Sequence, residues 1–152
     1  MSSYLYRGVS EQMYREHNGR LIPKKSGEFT YTFHWDEPGL KYDSGATYDA
    51  SETNAVHRHQ LNQEGFPTSG ISTTPHLNQA KVYARGRDGR SAGYVFRIDR
   101  SKLADQGVRE YVVAKFVKDP SIPKDEEVIL VTKGSKPLPE QVVTEVIEVA
   151  AR

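Results

Sequence analysis

Three polar features stand where this chain would ordinarily place apolar side chains. Arg7 lies inside the run Tyr4-Leu5-Tyr6-Arg7-Gly8-Val9, Ser72-Thr73-Thr74 closes a short extended run, and Asp125-Glu126-Glu127 leads directly into Val128-Ile129-Leu130-Val131. Strand alternation puts Glu127 on the face of Ile129 and Val131, which predicts a carboxylate at least half buried. Burying an unpartnered carboxylate is costly, so Glu127 is expected to meet a donor. An Arg7–Glu127 ion pair with Ser72 as hydrogen-bond partner satisfies all three without any chemistry. The alternative is that a guanidinium, a hydroxyl and a carboxylate, far apart in sequence, converge on one reactive crevice. Two other chemistries lack their partners. Ser72 has no Gly-x-Ser-x-Gly elbow for a hydrolase nucleophile. His34, His57 and His59 lack the spaced cysteines or carboxylates that zinc requires, so no metal site is expected.

The elements that must position these groups follow from local patterns. Tyr4–Val9 alternates and reads as a first strand, with Leu5 and Arg7 on one face. Ser10 caps a helix from Glu11 that stops at Asn18-Gly19, and Leu21–Lys24 is a short extended piece. Glu28–Trp35 reads as a strand, Pro38-Gly39 as a turn, and Glu52–Asn62 as a helix carrying His57-Arg58-His59. Thr74 and Pro75 predict a helix start, the threonine as N-cap and the proline in the first turn. Leu77, Ala80 and Ala84 share the face of that helix, and Arg85–Gly89 stops it. Tyr94, Phe96 and Ile98 alternate in a returning strand. Further strands are expected over Tyr111–Val117, Glu127–Thr132 and Gln141–Val149. Strands outnumber helices without a βαβ rhythm, which makes the class α+β with mainly antiparallel sheets.

At 152 residues the chain suits a single domain spanning 1–152, with enough length for a sizeable core. A formal net charge of +1 gives no global field toward nucleic acid or anionic membrane. The local basic cluster Lys81, Arg85, Arg87 and Arg90 reads as a solvated loop. Cysteine is absent, which excludes a disulfide frame and thiolate chemistry. No apolar run approaches membrane-spanning length, and Met1-Ser2-Ser3 does not open a secretory signal, so no membrane partner is expected.

Leu5-Tyr6-Arg7, Gly19–Lys24, a histidine ahead of the triplet, Ser72-Thr73-Thr74, Gly93–Asp99 and Lys124–Val128 occur in this order at fitting intervals. Together they resemble the Arg…Ser-Thr-Ser…Glu pattern of mono-ADP-ribosyltransferases, with spacing most similar to the cholera toxin and heat-labile enterotoxin group. The resemblance runs from Tyr4 to Val149. It implies two packed, mainly antiparallel sheets split by an NAD cleft, with short flanking helices. It also implies a reaction: ADP-ribose passes from NAD, a substrate, to a macromolecular acceptor, and nicotinamide leaves. The ribose goes through an oxocarbenium-like state, which a nearby carboxylate stabilises.

Glu127 matches the family's catalytic glutamate, and Ser72 the serine that orients it. Thr73 and Thr74 match neighbours that shape the nicotinamide pocket; Thr74 stands where the usual triplet has its second serine. Arg7 matches the arginine on the NAD phosphate side, where a forked guanidinium does what lysine could not. Gly8 and Tyr83 are expected to line the NAD site. His57, chosen over His59, matches the active-site histidine of the enterotoxin group. Asp125 corresponds to the residue that engages the acceptor, which is glutamate in arginine modifiers and glutamine in several other branches. Aspartate is a methylene shorter, which leaves the acceptor type open. So does Ser121–Lys124, which lacks the aromatic that many members use to grip a target. A bacterial toxin or effector, secreted or injected to act in a target-cell cytoplasm, is the setting the resemblance implies. Protein is then a better acceptor than nucleic acid, and the setting leaves room for an immunity protein. Two rivals remain: an NAD glycohydrolase using water at the same site, and a catalytically inactive binding module.

Overall fold

The computed structural model describes residues 3–23, 70–115, 125–133 and 136–152. The expected strand at Glu28–Trp35, the helix at Glu52–Asn62 with His57 and His59, and the loop Ser121–Lys124 lie outside the described residues. Strand β1 (Tyr4–Ser10) runs into helix α1 (Glu11–Glu16), where the Ser10 hydroxyl accepts from the Met13 amide at 3.1 Å. Asn18 and Gly19, both at positive φ, turn the chain away as expected. Strand β2 (Ile71–Thr73) precedes helix α2 (Leu77–Ala84) and strand β3 (Gly93–Asp99). Strands β4 (Arg109–Val112), β5 (Val128–Val131) and β6 (Val143–Val149) complete the described strands.

The class is α+β, with two antiparallel three-stranded sheets, β1-β3-β6 and β2-β5-β4. Alternation along β1 divides its neighbours. Leu5 and Val9 enter the main core with Phe96 and Ile98 of the first sheet and Ile71, Val128 and Leu130 of the second. Tyr6 turns to the opposite face, where Ala80 and Ala84 of α2 pack on Val95 and Val149. The first sheet is therefore covered on both sides, which explains why Val95 is buried beside Phe96.

Two glycines bring α2 down onto that sheet. A Cβ at Gly8 would sit 1.9 Å from the Ala80 carbonyl oxygen, and one at Gly93 would sit 2.0 Å from that of Ala84. Small residues on both partners permit this approach, with Ala80 and Ala84 fully buried. Among the described residues, one backbone bridge joins the two sheets. Tyr6 and Thr74 exchange backbone hydrogen bonds of 2.7 and 2.9 Å, joining β1 to the end of β2.

Several boundaries differ from the sequence reading. Thr74 is not the N-cap of α2; that position is His76, whose side chain makes no capping bond. The Thr74 backbone pairs with Tyr6, and its hydroxyl donates to the Asp125 carbonyl at 2.6 Å, so the helix opens later. β4 begins at Arg109 rather than Tyr111 and gives way to a 3₁₀ turn at Val113. Gln141 and Val142 lie in a 3₁₀ turn ahead of β6. β5 starts at Val128, leaving Glu127 just outside the ladder.

Candidate active site

Residues of β1, β2, α2 and the approach to β5 line a cleft of about 650 Å³, within the usual size of a small-molecule site. β1 supplies Arg7 and Gly8 to its wall, the triplet supplies Ser72, Thr73 and Thr74, α2 supplies Tyr83, and the approach to β5 supplies Asp125 and Glu127. Strand pairing explains the convergence. β2 runs antiparallel to β5 with Thr73 opposite Val128, so the triplet must lie against the segment that precedes β5.

All three hydroxyls of the triplet bond to that segment. Ser72 donates to Glu127 Oε2 at 2.5 Å, Thr73 to the Val128 carbonyl at 2.6 Å, and Thr74 to the Asp125 carbonyl at 2.6 Å. Thr73 and Thr74 are buried, so these bonds satisfy polar groups that water could not reach. Glu127 is 7 % exposed, more deeply buried than alternation alone predicts, and it receives the donor the sequence argument required. The short contact to a carboxylate belongs to the stronger class of hydrogen bond.

Glu126 adopts a left-handed conformation, φ 47°, between two buried carboxylates. A non-glycine residue there costs about 1–3 kcal/mol, held by the surrounding bonds. The result is that Asp125 and Glu127 both line the cleft while the Glu126 side chain stands exposed, its carboxylate 3.2 Å from His76 Nε2. Arg7 lies partly buried on the same wall. Burial pulls its guanidinium below the ordinary arginine value, and the fields of Glu127 and Tyr83 oppose that shift. The carboxylate thus lies in contact with a hydroxyl and within the field of a cation.

The remaining expected residues take varied places. Gly8 borders the cleft, and its lack of a side chain also admits α2. Tyr83, 41 % exposed, faces the cleft while its hydroxyl donates to Asp125 Oδ2. Gln79 Nε2 donates to the other oxygen, Oδ1, at 2.7 Å. Both carboxylate oxygens of Asp125 are engaged, and the residue is 6 % exposed. His57 lies outside the described residues. The sequence reading missed Gln79. Its only trace there is the i, i+4 spacing to Tyr83, one position from the Ala80–Ala84 face. Of the basic cluster, Arg87 lines the cleft rather than merely facing solvent.

Among the described residues, no group of three or more His, Asp or Glu is placed to hold a metal ion. Nor is any helix there long and apolar enough to cross a membrane.

Comparison with known proteins adds a family. Residues 4–130 match the NarE family, which is ADP-ribosyltransferase-like; the match supports the ADP-ribosyltransferase resemblance at that level and does not extend to the cholera toxin grouping. No curated protein matches the chain.

Proposed function

The chain belongs to the NarE family, and from that premise we propose that it transfers ADP-ribose from NAD to a macromolecular acceptor. The observation that carries the reading is the Ser72–Glu127 hydrogen bond on the wall of a cleft that Arg7 shares.

In this reading the bond between the nicotinamide nitrogen and ribose C1 breaks, and its electron pair leaves with nicotinamide. Positive charge then develops on the ribose. Glu127 stabilises that charge, which exists only near the transition state, so the interaction lowers the barrier without tightening ground-state binding. Ser72 holds the carboxylate in place beforehand. Arg7 takes the phosphate side of NAD, where two donors of a guanidinium fork two oxygens. Thr73 and Thr74 form the floor by the nicotinamide. A secreted or injected bacterial toxin or effector acting in a target-cell cytoplasm is the setting proposed for this activity, with protein as acceptor and an immunity protein as a further partner.

A second reading has one observation in its favour. Both oxygens of Asp125 are engaged, which leaves water as a competent acceptor and makes the same site an NAD glycohydrolase.

The test is incubation with NAD labelled in the adenylate portion, with and without cell extract, followed by nicotinamide and labelled product. Transfer labels macromolecules; hydrolysis yields free ADP-ribose alone. Glu127→Gln should lower turnover by about 10²–10³-fold, the scale of one preorganised electrostatic group, while NAD affinity changes little. Parent-like turnover in that variant refutes the assignment.

A further inference from the structure

Asp125 is fixed from three directions. Its Oδ1 accepts from Gln79, its Oδ2 from Tyr83, and its backbone carbonyl from Thr74. Gln79 and Tyr83 are one turn apart on α2, which the contacts at Gly8 and Gly93 hold rigidly against the first sheet. Burial and the bond to Asp125 push the Tyr83 phenol well above its ordinary pKa, so it donates throughout the physiological range. A group meant to engage an incoming acceptor would need a free oxygen at the surface. A buried carboxylate gripped at both oxygens is instead suited to hold its own backbone still. Two residues further along that backbone is Glu127.

We infer that Asp125 is a positioning residue: with Gln79 and Tyr83 it clamps the Asp125–Glu127 turn to α2, so that Glu127 is held against Ser72. The inference rests on the transferase reading of the site and assigns a role to Gln79 and to the Tyr83 hydroxyl. It also moves acceptor recognition away from Asp125. The clamp matters whenever Glu127 acts, including when water is the only acceptor.

That last point supplies the test, NAD hydrolysis with no other acceptor present, resolved into kcat and KM. Asp125→Ala should lower kcat about ten- to a hundredfold, as a misplaced catalytic group does, with KM for NAD within about twofold. Tyr83→Phe should move kcat the same way by less. The double variant should be no worse than Asp125→Ala, because both remove one connection. Asp125→Asn should recover most of the loss: its carbonyl can accept from Tyr83, and its amide can donate to a turned Gln79 side chain. If Asp125→Ala does not fold, Tyr83→Phe and Gln79→Ala each remove one arm and carry the same expectation. Parent-like hydrolysis in Asp125→Ala, or in both single-arm variants, overturns the inference and leaves the transferase reading intact. Asn no better than Ala also overturns it, because charge rather than the clamp would then be the requirement. A parent protein that releases no nicotinamide overturns the transferase reading, and the inference with it.

Discussion

Replacing Gly8 by alanine perturbs the site without touching a polar atom in it. The new methyl carbon would lie 1.9 Å from the Ala80 carbonyl oxygen and 2.8 Å from the Ala84 nitrogen, both backbone atoms of α2. Real Cβ atoms essentially never approach closer than 3.0 Å, so helix and strand must separate by about 1 Å at this point. Neither side has a flexible chain that could swing aside, because Ala80 and Ala84 are fully buried. Overpacking of this kind costs about 1–3 kcal/mol. In a chain of this size each kcal/mol lowers Tm by about 2–4 °C. The functional effect follows from where α2 points. Its Gln79 and Tyr83 side chains hold Asp125, and a displacement near 1 Å at a catalytic group can cost about a hundredfold in rate. Thermal melts and nicotinamide release measured on the same Gly8→Ala preparation separate the two effects. Turnover should be depressed well below the melting transition, where the protein is still folded. Gly93→Ala, which meets the Ala84 carbonyl at 2.0 Å, should behave alike. A Gly8→Ala protein with parent Tm and parent turnover would refute the claim that α2 is held at backbone contact and that this contact positions the site.

Ser72→Ala removes the donor to a buried carboxylate, a bond worth about 1.5–3 kcal/mol; turnover should fall about ten- to a hundredfold, and an unchanged kcat would remove Ser72 from the site. Arg7→Lys keeps the charge and loses the fork, so KM for NAD should rise with little change in Tm; equal KM would count against a phosphate contact. Asp99 caps the 3₁₀ turn at Arg100–Lys102 by accepting from the Ser101 hydroxyl at 2.6 Å and its amide at 3.0 Å, bonds that hold its pKa below the ordinary carboxylate value. A depressed folded-state pKa means stability that is present above the ordinary value and lost as pH falls through the folded one. Tm curves of the parent and Asp99→Asn should therefore differ near neutrality and converge in acid; a constant gap would contradict the linkage.

Which parts of this arrangement the sequence discloses depends on the range over which each residue's partners act. β1, the Ser10 cap, the stop at Asn18-Gly19 and the buried alanine face of α2 are set by neighbours within a turn or by strict alternation, and they stand as expected. The Ser72–Glu127 pair is also legible, because a carboxylate at the head of an apolar strand has to find a donor. Errors arise where a local rule competes with a distant partner. Thr74 followed by proline is a sound cap locally, yet Tyr6 and Asp125 claim its backbone and hydroxyl instead. Strand alternation runs past the true ends into Val113 after β4 and into Gln141 ahead of β6, because 3₁₀ turns can carry the same apolar pattern for a few residues.

The acidic triplet is the clearest case, and it bears on mechanism. Extended back beyond the strand expected at Glu127–Thr132, alternation would put Asp125 and Glu127 on one face by default. The structure reaches the same outcome by a different route: a left-handed Glu126, with Asp125 anchored to α2 and Glu127 anchored to Ser72. A strand would have made the two carboxylates equivalent. A strained turn makes them unequal, because one anchor is a helix carried by the first sheet and the other is the end of β2 in the second. The geometry of Glu127 is thereby tied to the relative position of the two sheets, which meet at the Tyr6–Thr74 bridge. In the proposed reaction, a substrate that presses the cleft open would work against that bridge and the clamp together, which would keep the site stiff before NAD binds. Stiffness of this kind is what electrostatic stabilisation of a short-lived positive charge requires, since a carboxylate free to reorganise would lose most of its advantage at the moment the charge develops.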